Sequence, residues 1–194
     1  MSITKQEIKR NLLGALDVAL FMPGFERKFG DGSQEALRSF FVPILAFPVV
    51  LASLFLFTSP SVIEEAGSNL SLLYSLRYAV AVGFFLALVH MLSRKLDRHQ
   101  YFNQFIIAHN WTAVPITIFL LPLLFMIAAG YYTAQELLPV FVCVAVYGLA
   151  LTAYIAMRVF RIPFELGVFF AFLSLWIDKG TFDFMAWMVP VISG

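Results

Sequence analysis

The chain predicts an all-α integral membrane protein, with five transmembrane helices behind an N-terminal amphipathic interfacial helix. Three observations carry this. Long apolar stretches lie near residues 38–58, 71–92, 103–129, 137–157 and 163–182. Each reaches the length of about 20 helical residues that crosses roughly 30 Å of bilayer hydrocarbon. Hydrophobic residues make up 61% and charged residues 13% of the chain, against about 25% charged in a soluble domain. The Lys and Arg residues also alternate from one side of the spans to the other.

Two regions follow: residues 1–34, an amphipathic helix and linker, and residues 35–194, the five-span bundle. The N-terminal helix is expected over residues 5–21. Thr4 and Glu7 have capping-box spacing, and Ile8, Leu12, Leu13, Leu16 and Leu20 recur at helical intervals. Lys5, Lys9, Arg10 and Asp17 lie off that stripe, and Pro23-Gly24 stops the helix. A basic amphipathic helix beside a membrane lies in the interface, so Ile8, Leu12 and Leu16 are expected to face lipid or the bundle. Residues 24–34 read as a flexible linker, and Ser33 as the N-cap of the helix entering span one.

Topology comes from the cations. Lys5, Lys9, Arg10, Arg27, Lys28 and Arg38 precede or open span one; Arg94, Lys95 and Arg98 fill the second loop; Arg158 and Arg161 fill the fourth. The first loop has Glu64 and Glu65 instead, and the third has Glu136. Thus 11 of 13 Lys/Arg fall on one side. The positive-inside rule then places the N-terminus in the cytoplasm and the C-terminus outside. Ser61 with Glu64, and Thr133 with Glu136, have capping-box spacing at the outer ends. Pro139 and Pro163 fit helix starts, and Tyr131 and Tyr132 fit an interfacial aromatic belt.

Within the spans, Pro43, Pro48, Pro115 and Pro122 predict kinks. Ala79/Gly83, Gly148/Thr152 and Gly167/Ala171 are small pairs at spacing four that suit close helix contacts. The polar residues are His90 in span two and Asn103, Gln104, His109, Asn110 and Trp111 in span three. Polar groups in hydrocarbon need partners or water. A cluster is therefore expected in which His90 bonds to Asn103, His109 or Asn110. It would fix packing, or alternatively line the path of a small transporter or channel.

Arg77 and Asp178 form a candidate ion pair. Span two should end near Leu92, 15 residues after Arg77, and span five starts at Pro163, 15 residues before Asp178. At about 1.5 Å per residue both stand roughly 22 Å from the same end. The rival expectation is an Arg77 that snorkels to headgroups alone.

Composition excludes several functions. A formal net charge of +1 offers no argument for nucleic acid. The single Cys143 allows no intrachain disulfide, and two span histidines make a poor metal site. No phosphate loop, nucleophile elbow or His-Glu-x-x-His is present. No catalytic, cofactor-binding or metal-ligating residue is expected.

Two segments, Arg38-Ser39-Phe40-Phe41-Val42-Pro43 with Pro48, and Tyr101-Phe102-Asn103-Gln104-Phe105 leading to Asn110-Trp111, resemble the Ypt-interacting protein (Yip-type) superfamily. The likeness spans roughly residues 15–190 on topology and is nearest to small bacterial members. Eukaryotic members bind prenylated Rab-type GTPases and work in vesicle transport and membrane shaping; this chain departs from them in lacking their long cytoplasmic N-terminal domain, and likeness to the bacterial members implies a bacterial inner membrane with the C-terminus in the periplasm. The resemblance implies here a non-enzymatic scaffold, assembly factor or accessory subunit. Its partners would be membrane lipids and another membrane protein or a second copy.

Overall fold

A computed structural model describes residues 3–58, 63–64 and 69–193, with side chains through Met188. Among these residues the regular structure is helical, without a strand. In chain order the helices are α1 (Lys5–Ala19), α2 (Ser33–Ser39), α3 (Phe41–Phe57), α4 (Asn69–Lys95), α5 (Phe102–Trp111), α6 (Ala113–Ala128), α7 (Ala134–Phe160) and α8 (Phe164–Ser193). Short 3-10 turns at Phe25–Lys28 and His99–Tyr101 lead into α2 and α5.

Four continuous segments are long and apolar enough to cross a bilayer: Ser33–Phe57, Asn69–Lys95, His99–Ala128 and Ala134–Phe160. Most of their side chains point outward, as lipid allows. The protein is an all-α, multi-pass membrane protein. The 30-residue α8 is also long, but Glu165, Asp178, Lys179 and Asp183 interrupt its apolar sequence. It packs along α7 and α4.

The prolines act where their geometry demands. A proline ring clashes with the carbonyl four residues back and removes one N–H. The first apolar segment breaks at Phe40, three residues before Pro43, and the third breaks at Thr112, three residues before Pro115. The broken turns meet: Asn110 Nδ2 donates to Ser39 Oγ at 2.9 Å, and Ser39 Oγ donates to the Ala36 carbonyl at 2.7 Å. Ser39 thereby gives the Ala36 carbonyl a partner at the break, where the Phe40 N–H turns to the Leu37 carbonyl instead. Thr133 and Glu136 form a complete capping box at the start of α7. That start is earlier than the apolar run suggested, so Pro139 falls in the second turn. Ser33 is not an N-cap; Gly32 holds that place without a side-chain bond. The Ser61–Glu64 capping box lies outside the described residues.

Two packed clusters differ greatly in extent. The larger lies at the end holding the cationic loops. Phe85, Phe105, Phe160, Phe170, Leu151, Ile155 and Trp111 are buried there, with Ala15, Val18, Phe25 and Phe29 from the N-terminal segment. Its helices approach closely at Gly167, where a Cβ would stand 2.6 Å from the Ala153 carbonyl oxygen. Of the three small pairs, Gly167 and the buried Ala171 serve such a contact. Gly83 has open space and Gly148 only ordinary contact with Ile116. The smaller cluster, at the opposite end, centres on Leu70, Tyr74 and Met185.

The linker expected at residues 24–34 is instead packed structure. Phe25 is 0% and Phe29 4% exposed. The physical reason is aromatic content: Phe25 and Phe29 bury more apolar surface than loop entropy costs. Ala15, Val18, Phe25 and Phe29 of the N-terminal segment contribute to the main core.

Candidate functional site

The expected polar cluster does not assemble. His90 packs edge-on against His99 and Phe102, with ring centroids 4.8 and 4.9 Å away. Asn103 Nδ2 donates to the Asp31 carbonyl at 3.0 Å. Gln104 Nε2 donates to the carbonyls of Glu26 (2.7 Å) and Phe29 (3.2 Å). Asn110 serves Ser39, as above. His109 sits between Phe85 and Phe105, its Nδ1 buried and without a partner among the described residues. Trp111 is 5% exposed in the main core. So α5 turns its polar face to α2 and the N-terminal turn, not to His90. The acceptors that α5 meets are the backbone carbonyls of Glu26, Phe29 and Asp31.

Three ionic pairs bind the N-terminal segment to the bundle, and a fourth, Lys28–Asp17, braces the segment itself. Arg38 donates two bonds to Glu7, at 3.1 and 3.0 Å, the bidentate geometry that suits guanidinium and carboxylate. Arg10 and Asn11 both reach Glu35, Lys28 pairs with Asp17 at 2.5 Å, and Arg158 pairs with Glu26 at 2.9 Å. Tyr147 and Tyr154 on α7 donate to the carbonyls of Ala19 and Phe21. The sequence signal for this strap was four carboxylates, Glu7, Asp17, Glu26 and Glu35, within a basic segment. Against the bundle α1 turns Asn11, Gly14, Ala15 and Val18, all buried. At Gly14 a Cβ would meet the Phe29 ring at 2.7 Å. Ile8, Leu12 and Leu16 stay 39%, 37% and 43% exposed.

Between α4 and α8, near the far end, lies a lateral groove of about 450 Å³. Its lining is apolar apart from Arg77 and Thr181; Leu76, Val80, Phe84, Phe184 and Met185 form most of the wall. That volume falls within the roughly 300–1,000 Å³ of small-molecule sites. Arg77 donates to Asp178 Oδ1 through Nη1 (3.1 Å) and Nη2 (2.5 Å). The Phe182 ring lies 5.5 Å from the guanidinium carbon. The burial is lopsided, with the Arg77 side chain 5% and the Asp178 side chain 59% exposed. Arg77 lines the groove, whereas its partner Asp178 is not among the lining residues. Beside it Lys179 pairs with Asp183 at 2.7 Å on the exposed side of α8.

Comparison with protein-family models, curated proteins and solved structures finds no match. The segments Arg38–Pro43 and Tyr101–Trp111 meet in space, through the Asn110–Ser39 bond and the packing of α2 on α5. Their shared polar atoms are spent on holding two broken helices together.

Proposed function

We propose that this protein is a non-enzymatic membrane scaffold, assembly factor or accessory subunit. It holds another membrane component, protein or lipid, against its lateral surface. The observation that carries this reading is the α4–α8 groove: an apolar trough opening sideways, with Arg77, paired to Asp178, in its wall. A transported solute would call for polar groups converging on a path, whereas His90, Asn103, Gln104 and Asn110 are each turned to separate neighbours. The Yip-type resemblance supports the same role.

In this reading α8 is the fifth span. Its Asp178 is matched by Arg77, which lowers the cost of placing both charges in hydrocarbon. The N-terminus is cytoplasmic and the C-terminus periplasmic in a bacterial inner membrane, supported by the 11-to-2 distribution of Lys/Arg. The helix α1 lies in the inner interface with Ile8, Leu12 and Leu16 toward acyl chains.

Site-specific photocrosslinking tests the role. A crosslinker at Leu76 or Phe184 in the groove should capture one discrete membrane component, and one at the outward Leu45 should not. Equal, diffuse capture from all three positions refutes the groove as a binding face. For topology, Gln135→Cys in a Cys143→Ser background should be labelled from the periplasm, and cytoplasmic labelling reverses the map.

A further inference from the structure

We infer that the turn after α1, Leu20-Phe21-Met22, is a lipid-insertion element. The helix runs obliquely into the acyl chains of the leaflet at the cationic end, rather than lying flat on it. This deepens, and rests on, the reading of α1 as an interfacial helix. Three observations carry it.

The first is depth. Tyr147 is the middle residue of the 27-residue α7, which at about 1.5 Å per residue is roughly 40 Å long. Wherever a hydrocarbon core of roughly 30 Å sits on such a helix, the helix midpoint lies about 10 Å or more inside it. The Tyr147 hydroxyl donates to the Ala19 carbonyl at 2.6 Å, so the end of α1 is one side chain away from that depth. From there the chain returns toward the cationic end. Tyr154 donates to the Phe21 carbonyl at 3.1 Å, and Arg158, near the end of α7, pairs with Glu26. The start of α1 stays at the cationic end, where Glu7 holds Arg38.

The second is the surface of the tip. Between Asp17 and Glu26 the chain carries no charged side chain, and Asp17 itself is paired with Lys28. The cations of α1, Lys5, Lys9 and Arg10, lie in its other half. Leu20, Phe21 and Met22 are 69%, 43% and 48% exposed. Phe21 packs edge-on against Tyr147, which meets the exposed Phe119 of α6. The tip thus continues the outward apolar surface of two membrane-length helices, and that continuity selects acyl chains as its occupant.

The third is the backbone. Hydrocarbon offers no hydrogen-bond partner, so polar main-chain groups there must be satisfied internally. The N–H groups of Leu20, Phe21 and Met22 donate to the carbonyls of Leu16, Val18 and Asp17, and Pro23 has none. This pattern is a Schellman turn, whose left-handed position glycine usually fills. Here Phe21 holds it, at φ 53°. A ring left partly in water does little to offset that strain, whereas one among acyl chains offsets it by burial.

The test places nitroxide labels on Ile8→Cys, Leu16→Cys, Leu20→Cys and Met22→Cys, each in a Cys143→Ser background of the full chain. The proteins are reconstituted in vesicles of phosphatidylethanolamine and phosphatidylglycerol. Electron paramagnetic resonance reads depth from collisions with oxygen and with a water-soluble nickel complex. The oxygen-to-nickel ratio should be several-fold higher at Leu20 and Met22 than at Ile8, with Leu16 between. That corresponds to about 10 Å of added depth, out of the roughly 18 Å that the helix covers between Ile8 and Leu20. Equal depth at all four positions overturns the insertion and leaves the flat interfacial helix standing. Free access of the nickel complex to all four removes both readings.

Discussion

The two ends of this bundle are built differently. The end holding the cationic loops has a continuous aromatic core and is cross-braced by a strap of four ion pairs, Glu7–Arg38, Arg10–Glu35, Asp17–Lys28 and Glu26–Arg158. The opposite end has a small core around Leu70, Tyr74 and Met185, a groove open to the side, and one half-buried pair. The contrast teaches where each kind of stabilisation can operate. Near water, burial of aromatic surface and charge pairing both contribute. Within lipid the hydrophobic drive between helices vanishes, and close packing or hydrogen bonds must hold them. A surface left loosely packed there is free to receive another apolar body.

The sharpest way to break the comparison is to remove the strap. Deleting residues 2–31 takes Ala15, Val18, Phe25 and Phe29 out of the main core. If those residues were a separate module, the remaining spans would be unaffected. The expected outcome is loss of monodisperse protein in mild detergent, checked by size-exclusion chromatography.

Next in size is Gly167→Leu, which drives a side chain into the Ala153 carbonyl. Overpacking of this kind costs about 1–3 kcal/mol or more. Gly83→Ala, facing open space, should instead be neutral or gain a few tenths, up to about 1 kcal/mol. Unfolding in mixed micelles compares the two. Equal effects would erase the distinction between tight and loose contacts.

The ion pair at the sparse end should respond asymmetrically. Asp178→Leu strands the buried Arg77, whereas Arg77→Leu leaves the more exposed Asp178, the less costly of the two to leave unpaired. The first should cost about 2–3 kcal/mol and the second about 1 kcal/mol. The double variant should be more stable than Asp178→Leu alone. A coupling near zero in the double-mutant cycle would mean that Arg77 reaches headgroups by itself.

The smallest effect expected is from Glu7→Gln. It replaces a bidentate, charge-assisted pair with a weaker one and should cost about 1 kcal/mol or less. Hydrogen exchange should rise in α1 while α4 and α8 remain unchanged. Uniform loss of protection would show that the strap acts on the whole bundle.

Much of the frame was legible in the chain. Apolar length marks helices α3, α4, α6 and α7 because lipid imposes it, and capping chemistry marks Thr4 and Thr133 because bare N–H groups impose it. The depth match of Arg77 and Asp178 follows from helical rise alone, while their contact depended on α4 and α8 being neighbours. The polar residues of α5 were visible as needing partners, but nothing local named them. Asn103 and Gln104 bond to carbonyls of Asp31, Glu26 and Phe29, and a carbonyl is present at every residue, so no side-chain pattern announces it.

The sequence by itself determined that this protein is helical, that it carries several apolar helices of membrane-crossing length, that Thr4 and Thr133 cap helices, and that the chain breaks ahead of Pro43 and Pro115. Each is a local consequence of hydrophobic length, proline geometry or capping. Only the tertiary structure decided that residues 25–29 belong to the core and that Asn110 ties to Ser39. It alone decided that α4 and α8 part to leave a groove beside Arg77. Those outcomes depend on which helix faces lie together, and contacts between residues far apart in the chain leave no periodic trace in either partner.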